Sequence, residues 1–594
     1  MESPFGHLIR ALRDGDAGPQ PRPAWVGRAW SAAVALALIA LTFAAFSPGL
    51  GNHFVNWDDE HNFLKNDHYR GLGWDEVTWA WTTFHMGAYQ PLGWILFSTE
   101  YRAWGLDPRG YHAVSLVWHA ATVVALYATT LHLLRRCEFA FPRGHGLEFW
   151  AGLAVAWYAV HPLRVEAVTW VSCQPYLPCA LFSVLAVLAY LRANGEGLAP
   201  QAGWLITSLL LYAVSLFFKA PSVTLPGVLL VLDAYPLRRL GGGPGRWFGP
   251  SVERVWREKT WFLGLGLVFS ALAYLAKSST FRGVAAARPG PVSRAAAACY
   301  AAWFYLGKTV DPRDVAAFYV TPAPVIWSQP YFLAALVAAA GLSVALVLMW
   351  RWWPGPLAAW TAFLVLLAPV SGFVSLSTQF VTDRYTYLAA MALVPPVGGC
   401  LGWLASSRRR PLGIVVLAVT GLGVAAVLTG QTRALCRTWR DSETLWVHAL
   451  AHGAGRSMTV YNNLAAEYYD RGQFDQAIAT WRAALTVPPE PTDPSGRVLI
   501  LSNLGVCLER RGRPDEAVAQ FAEAARLLPQ SGDAHYQWGR ALAAQGRFAE
   551  AIPHFADAIA LDPGHARAIE SLDDSLRRQR ASRKAPDGLS PPTQ

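Results

Sequence analysis

Three consecutive acids have the clearest chemical potential in this sequence. Asp58, Asp59 and Glu60 lie just beyond the first strongly apolar segment, at about 32–46. A carboxylate near other carboxylates and near lipid has a raised pKa, which suits it to take a proton from an acceptor hydroxyl. The pattern therefore predicts Asp58 or Asp59 as a general base. The three acids could instead bind Ca²⁺ or Mn²⁺ through their oxygens, or serve as solvated loop acids and helix caps.

Further charged or polar residues stand at the ends of later apolar segments. A cation beside a helix start complements a phosphate, and arginine can bind one through two hydrogen bonds. The candidates for binding a lipid-borne phosphate are His161, Arg164, Glu166, Lys219, Arg384 and Tyr385. Structural alternatives stay open: Arg164 and Glu166 could form a local ion pair. Lys219 could extend to the membrane surface, and Arg384 could pair with Asp383.

The composition indicates that membrane helices carry these residues. Of the 594 residues, 53% are hydrophobic and 15% are charged, whereas soluble domains contain about 25% charged residues. The formal net charge is +10. The Lys and Arg residues cluster in short loops between apolar runs, which is a topology signal rather than a nucleic-acid-binding surface. The sequence therefore predicts a polytopic membrane protein that does not bind nucleic acid.

Hydropathy and loop charge predict about eleven crossings within 29–435. They lie at about 29–49, 111–134, 149–160, 177–191, 203–218, 222–236, 260–276, 331–350, 356–372, 385–405 and 411–430. Segment 1–28 is rich in arginine and is expected in the cytoplasm. Loop 50–110 is expected outside, as amphipathic helices in the membrane surface. The short patch at 295–307 is interpreted as re-entrant or interfacial, because basic loops then stay in the cytoplasm. The acidic run and the cationic candidates share the outer face.

A repeat begins where the membrane pattern ends. Five residues recur at an offset of 34: Gly505 and Gly539, Gly512 and Gly546, Ala517 and Ala551, Phe521 and Phe555, Pro529 and Pro563. This period and pattern are typical of tetratricopeptide repeats, and an earlier unit at 463–484 makes three, the minimum for a stable stack. Residues 436–577 are therefore predicted as an α-solenoid on the outer face that binds a polypeptide. Residues 578–594 are predicted as a disordered tail.

The seven cysteines show no CxxC motif and no Cys/His ligand spacing, so no metal site is expected from them. Cys173 and Cys179 flank a short loop on the predicted outer face. They could form a disulfide, or they could be two small residues near a helix start.

Three motifs carry a resemblance to a known family. They are Phe54-Val55-Asn56-Trp57-Asp58-Asp59, His161-Pro162-Leu163-Arg164-Val165-Glu166-Ala167-Val168 and Asp383-Arg384-Tyr385-Thr386-Tyr387-Leu388. With the repeats that follow, they resemble the motifs of the GT-C membrane glycosyltransferases. Within these, the chain is most similar to the transmembrane and tetratricopeptide-repeat-containing protein O-mannosyltransferases and their bacterial relatives. The resemblance covers about 30–573.

The resemblance implies an all-α protein in which a GT-C-like membrane bundle precedes the repeats. It implies inverting transfer of a sugar, mannose in those relatives, from a polyprenyl-phosphate carrier to a protein hydroxyl. Asp58 or Asp59 would be the base, basic residues would hold the carrier phosphate, and the repeats would bind the acceptor. No cofactor is firmly implied, and a divalent cation stays open. The chain departs from the family after Lys219 and at 174–176, which leaves donor specificity open.

Two other functions stay open at this point. The acceptor could be a glycan, which would make the chain a lipid-linked glycan ligase or polymerase. The chain could also be a non-enzymatic scaffold that displays peptide-binding repeats. Charged residues at membrane depth are costly unless they are used, so their clustering favours an enzyme. The usage of Arg, Ala and Gly favours a bacterial inner membrane.

Overall fold

The fold is known from a computed structural model. It describes residues 24–137, 146–195, 201–240, 247–280, 290–320, 325, 327–373, 381–407, 411–488 and 495–584. Every regular element within these ranges is helical, so the predicted all-α class is confirmed. Contacts divide the chain into one compact unit up to Asp441 and a second from Ser442. The sequence had placed this boundary at 435–436.

The first unit contains fourteen helices of eight or more residues within its described ranges. They are α1 Ala24–Phe46, α2 Trp74–Thr82, α3 Pro91–Trp104, α4 Pro108–Arg136, α5 Gly146–Ala159, α6 Tyr176–Ala193, α7 Ala202–Phe218, α8 Leu225–Ala234, α9 Glu253–Thr280, α10 Pro291–Val310, α11 Pro330–Leu348, α12 Pro354–Leu367, α13 Val394–Ser407 and α14 Pro411–Thr438. Six of them begin at a proline, whose missing N–H is not needed in a first turn. Short helical turns at 162–169 and 383–393 connect α5 to α6 and lead into α13.

Seven helices of the described chain are long and apolar enough to cross a membrane, namely α1, α4, α6, α9, α11, α13 and α14 with their adjoining turns. Three shorter apolar helices, α7, α8 and α12, add to these. With the fourteen-residue α5, each of the eleven predicted crossings coincides with a helix. These features are those of a multi-pass membrane protein. The patch predicted at 295–307 is a regular helix of 20 residues, Pro291–Val310, and therefore longer than expected.

The segment between α1 and α4 contains helices, as predicted, but its aromatic residues do not behave alike. Trp94 and Phe97 are buried and pack with Phe63 in a small core. Trp74 and Trp104 are exposed. Part of the aromatic content that suggested helices lying in the membrane surface is therefore used to fold this segment on itself. Val171 belongs to the same core, which therefore links this segment to the short turn before α6.

The second unit is a helical array. Its helices are α15 Ser442–Ala449, α16 Met458–Asp470, α17 Phe474–Thr486, α18 Ser495–Arg510, α19 Pro514–Leu527, α20 Gly532–Ala544, α21 Phe548–Leu561 and α22 Ala566–Lys584. Three helix pairs, α16–α17, α18–α19 and α20–α21, form the predicted repeats. Gly505 allows close packing, because a Cβ there would lie 2.6 Å from the Phe521 ring. Gly512 lies in the turn between α18 and α19 with φ +74°, a conformation that favours glycine.

The start of the disordered tail was predicted too early in the chain. Helix α22 continues to Lys584, whereas the sequence placed the end of order at 577. Charged side chains form ion pairs along the surface of α22, as between Arg578 and Asp574. Such pairs at a spacing of four residues stabilise a helix. Residues 585–594, like the arginines before residue 23 and those at 408–410, lie outside the described residues.

Candidate active site

The two adjacent aspartates have different surroundings. Asp59 is buried, with 1% of its surface exposed. Its Oδ1 accepts hydrogen bonds from the backbone N–H, at 3.0 Å, and the hydroxyl of Ser172, and its Oδ2 accepts one from the Val55 N–H at 3.1 Å. Burial raises the pKa of Asp59 to about 7, although the Ser172 hydrogen bond lowers it. Asp59 therefore joins the acidic run to the start of α6, and its oxygens are already in use.

Asp58 is only half-buried. No described residue donates a hydrogen bond to its carboxylate. Burial raises the pKa of Asp58, while the positive charges of Arg384, Lys219 and Lys277 lower it, so that the net shift is upward. An accessible carboxylate with a raised pKa is suited to accept a proton. The structure thus separates two residues that the sequence treated as equivalent.

Arg384, whose charge acts on Asp58, is held in place by a partner distant in sequence. Its backbone N–H donates to Oε2 of Glu166 at 2.7 Å, and its guanidinium donates to the other carboxylate oxygen. The guanidinium carbon lies 5.2 Å from the Trp170 ring and 5.9 Å from the Trp57 ring. Both alternatives from the sequence, an Arg164–Glu166 pair and an Arg384–Asp383 pair, are therefore wrong. The centroid of the Tyr385 ring lies 5.1 Å from the same guanidinium carbon.

Lys219 and Lys277 provide the other two cations. Lys219 follows α7 in an extended conformation, donates to Oε1 of Gln90 at 3.1 Å and lies 4.7 Å from the Tyr176 ring. Lys277 is half-buried near the end of α9. Lys277 was not among the residues predicted for the site, although it directly follows the crossing at 260–276 on the predicted outer face. Asp58, Glu166, Lys219, Lys277 and Arg384 are called the Asp58 cluster below. Its three cations and two carboxylates leave one excess positive charge.

His161 and Arg164 were predicted to bind the carrier phosphate, and the structure gives them other contacts. His161 is 3% exposed, with its Nδ1 accepting from the Leu163 N–H at 3.3 Å and its Nε2 3.1 Å from the Thr309 carbonyl oxygen. Burial lowers the pKa of His161 to about 3, so the ring is neutral. Arg164 is 1% exposed and stacks on Tyr158 at 4.7 Å. Both residues support the turn that carries Glu166.

The three neighbouring acids do not converge on one point. The Lys65 ammonium pairs with Glu60 at 2.5 Å, and Asp59 is occupied by its three donors. Within the described ranges, the group of His, Cys, Asp and Glu residues close enough to hold a metal ion is His535, His554 and Asp557, in the repeats. A divalent cation bound by Asp58, Asp59 and Glu60 together would therefore require the acidic run to rearrange.

Cys173 and Cys179 are buried free thiols, so the disulfide alternative is wrong. The Cys179 thiol donates to the Lys219 carbonyl oxygen at 3.3 Å and lies 3.5 Å from the Ser215 hydroxyl. This contact fixes the backbone of Lys219 against α6.

A cavity of about 300 Å³ lies among α4, α6, α8, α12 and α13. It extends from Leu388, four residues after Arg384, to Cys137, just after the end of α4. Its walls are almost entirely apolar and include Val228, Trp353 and Trp403. A hydrocarbon chain would fit the chemistry of this space.

Comparisons with known proteins agree with this architecture. Residues 462–532 and 532–565 match family models of the tetratricopeptide repeat. The protein O-mannosyl-transferase TMTC3 of Mus musculus is 24% identical over 477 residues, which is 75% of this chain and 48% of the relative. The Xenopus laevis protein O-mannosyl-transferase tmtc2 is 27% identical over 200 residues, 32% of this chain and 22% of the relative. The chain is similar to the tetratricopeptide-repeat O-mannosyltransferases.

This chain covers between about a fifth and a half of the length of these relatives. Among solved structures, ArnT from Cupriavidus metallidurans, crystallised with undecaprenyl phosphate, is similar over 86% of this chain and 81% of its own. The sequence identity is 15% and the TM-score is 0.33. That likeness is too low to support an argument about this chain.

Proposed function

We propose that this chain is an inverting membrane glycosyltransferase of the GT-C class. It transfers a sugar, with mannose as the first candidate, from a polyprenyl-phosphate carrier to a hydroxyl of a polypeptide. Asp58 is the general base, and Lys219, Lys277 and Arg384 bind the carrier phosphate. The observation that carries the proposal is the Asp58 carboxylate, which is half-buried, has no hydrogen-bond donor among the described residues and is acted on by the charges of Arg384, Lys219 and Lys277.

The charges of the Asp58 cluster suit this reaction. Asp58 takes the proton of the acceptor hydroxyl while the oxygen of that hydroxyl forms a bond to the anomeric carbon. The bond from that carbon to the phosphate oxygen breaks, and its electron pair leaves with the polyprenyl phosphate. Negative charge therefore grows on the phosphate, where fixed cations stabilise it most. Because the leaving group is already an anion, one base is sufficient, and a single displacement inverts the anomeric carbon.

Glu166 and Asp59 act as positioning residues in this proposal. Glu166 keeps the Arg384 guanidinium against the Trp170 ring, so that no side-chain ordering is needed when the phosphate binds. Asp59 fixes the acidic run to Ser172, and this contact orients its neighbour Asp58.

The apolar cavity supports a lipid-linked donor. It reaches Leu388, one helical turn beyond Arg384. A carrier whose phosphate lies among the cations of the Asp58 cluster could extend its first isoprene units into this space. Burial of apolar surface, at about 25 cal/mol per Å², would then contribute to donor binding.

The repeats supply a surface for a polypeptide acceptor, and the positive-inside pattern supports an outward-facing site. In this proposal the N-terminus is cytoplasmic, and both the Asp58 cluster and the repeats face the outer side, which is periplasmic in a bacterial inner membrane. A glycan acceptor would require no peptide-binding array. The presence of the repeats therefore favours transfer to protein over a glycan ligase.

The test uses the purified full chain in lipid nanodiscs. Polyprenyl-phosphate [¹⁴C]mannose is supplied with a serine- and threonine-rich polypeptide, and label released from the polypeptide by β-elimination is counted. We expect transfer by the wild type and by Asp67→Asn, an isosteric change at an exposed acid of the same segment. We expect Asp58→Asn to be slower by about 10²–10⁴-fold, the range for loss of a general base.

Two results would contradict the proposal. One is the absence of transfer from every polyprenyl-phosphate sugar that is supplied. The other is label that appears in a lipid-linked glycan and never in the polypeptide, which would indicate the ligase function. Glucose and N-acetylglucosamine donors, tested in parallel, separate a wrong sugar from a wrong reaction class.

A further inference from the structure

The last repeat brings together two imidazoles and a carboxylate. His535 lies in the first turn of α20, whereas His554 and Asp557 lie one turn apart on α21. Nδ1 of His535 is 3.6 Å from Oδ2 of Asp557, and Nδ1 of His554 is 4.0 Å from the same oxygen. The potential ligand atoms of all three side chains lie within 4.8 Å of one another. The two helices of one repeat therefore converge on a single point.

The two imidazoles are arranged as metal ligands usually are. Both Nδ1 atoms are buried and have no hydrogen-bond partner among the described residues. Nε2 of His535 is 3.3 Å from the carbonyl oxygen of Pro529. A proton on Nε2 that bonds this carbonyl leaves the lone pair on Nδ1, directed towards Asp557. Such an outer hydrogen bond commonly fixes the tautomer of a histidine ligand.

The second ring is fixed by packing. The His554 ring stacks on the Trp538 ring, with centroids 3.6 Å apart and planes inclined by 22°. Its side chain is 17% exposed, so the ring has little freedom to turn outwards. The two nitrogens are thus held before any ligand binds, which reduces the ordering entropy of binding.

The ligand types select a class of ion. Two imidazole nitrogens with one carboxylate favour Zn²⁺ and its first-row neighbours, whereas Ca²⁺ and Mg²⁺ prefer all-oxygen sites. Ligand atoms of tetrahedral zinc lie about 3.3 Å apart, given bond lengths of about 2.0 Å. The two Nδ1–Oδ2 separations, 3.6 and 4.0 Å, are within an ångström of this value, so small side-chain movements would complete the site. A water or an acceptor group could fill the fourth position.

We propose that His535, His554 and Asp557 form a binding site for a zinc-class divalent ion that fastens α20 to α21. This site is independent of the glycosyltransferase proposal. Each repeat in such an array contacts only its neighbours, so the last one has a neighbouring repeat on one side only. A metal bound across its two helices would stabilise this end of the array.

The test measures metal binding by the full chain, purified with a non-histidine tag and treated with a chelator. The protein is dialysed against ZnCl₂ at equal concentration, and bound zinc is counted by mass spectrometry, with CaCl₂ as the comparison. We expect one bound zinc per chain, a higher Tm in zinc, and neither effect in calcium. His535→Gln and His554→Gln should each weaken zinc binding by 100-fold or more, since even outer-shell changes weaken it by about 10–100-fold.

His452→Gln is the matched control. His452 stacks on His448, with centroids 3.9 Å apart, and offers a second histidine pair in the same unit. Neither test variant removes a hydrogen bond made by Nδ1, and a glutamine amide at 535 keeps an N–H donor for the Pro529 carbonyl oxygen, so circular dichroism without zinc should match that of the wild type. The proposal is overturned if the wild type binds no zinc, or if zinc is lost in His452→Gln and kept in His554→Gln.

Discussion

Two charged clusters lie at opposite ends of α6 and differ in how their charges are balanced. Near its start, the Tyr176 ring contacts Lys219 of the Asp58 cluster. Near its end, the Tyr190 hydroxyl donates to Asp233 at 2.8 Å. Fourteen residues separate these tyrosines, which corresponds to about 21 Å of helix.

The Asp233 cluster consists of Tyr190, Asp233, Arg239, Glu258 and Lys259. Inside the protein, two cations face two carboxylates: Arg239 lies 2.9 Å from Asp233 and 2.7 Å from Glu258, and Lys259 lies 2.5 Å from Asp233. A third cation, the exposed Arg254, lies 3.6 Å from Glu258. The Lys259 and Asp233 side chains are fully buried. Such closed networks hold helices in register and offer nothing to a ligand. In the Asp58 cluster, by contrast, the Asp58 carboxylate is accessible and one cation is in excess.

This contrast separates structural from functional charge. A buried ion pair that is complete resists change, because removal of one partner leaves the other charged and desolvated. A site that must receive an anion needs positive charge that its own carboxylates do not cancel. The predictions that follow test this difference.

The largest expected effect is on stability at the closed cluster. Lys259→Met leaves Asp233 with one paired cation, Arg239, among the described residues, and we expect the free energy of unfolding to fall by about 3–5 kcal/mol, as for other broken buried pairs. The readout is Tm of the full chain in detergent. Lys277→Met, on the same helix α9, is the matched control and should change Tm little. An equal fall in Tm in the two variants would contradict the proposed difference between the Asp233 cluster and the Asp58 cluster.

The next effect is on rate at the Asp58 cluster. Lys277→Met removes one of the three cations that act on Asp58, and we expect transfer to slow by about 10²–10³-fold, the range for loss of one fixed donor to developing charge. Lys277→Arg should keep most of the activity because the charge remains. Single-turnover transfer from a saturating donor is the measurement. A wild-type rate in Lys277→Met would show that α9 does not contribute to the site.

The smallest effect is on the pH dependence. A base works when ionised, so transfer is full above the pKa of Asp58 and is lost as the pH falls through it. Burial raises this pKa, and the charge of Lys219 lowers it. Lys219→Met should therefore raise the pKa and move the acid limb of kcat/KM to higher pH.

Lys65→Met is the control for that shift. Lys65 pairs with Glu60 and is absent from the charges that act most on Asp58. The acid limb of kcat/KM in Lys65→Met should match that of the wild type. A limb that moves to lower pH in Lys219→Met would contradict the assigned electrostatics.

The parts of the fold with local or periodic signals could be predicted from the sequence. The 34-residue offset defined the repeats, and every predicted crossing coincides with a helix. Asp58, Lys219 and Arg384 could be placed together because each stands at an apolar segment end on one predicted face. Loop charge was sufficient for that inference.

Pairings between distant residues could not be predicted in the same way. Glu166 and Arg384 are separated by 218 positions, and Ser172 lies 113 positions from Asp59. Proximity to Arg164 and Asp383 in the sequence suggested other partners for these charges. His535, His554 and Asp557 match no ligand spacing because they come from two helices of one repeat. Only the packed helices reveal which of the neighbouring acids is free.

The central claim is that Asp58, and not Asp59, is the base. The measurement is the transfer rate per folded molecule of Asp58→Asn and Asp59→Asn, with Tm measured on the same samples. We predict that Asp58→Asn keeps the wild-type Tm and loses about 10²–10⁴-fold in rate. Asp59→Asn should lose about 1–3 kcal/mol of stability, because its amide cannot accept from all three donors, while its folded fraction still transfers sugar. Wild-type transfer by Asp58→Asn, or complete loss in Asp59→Asn at unchanged Tm, would contradict the claim.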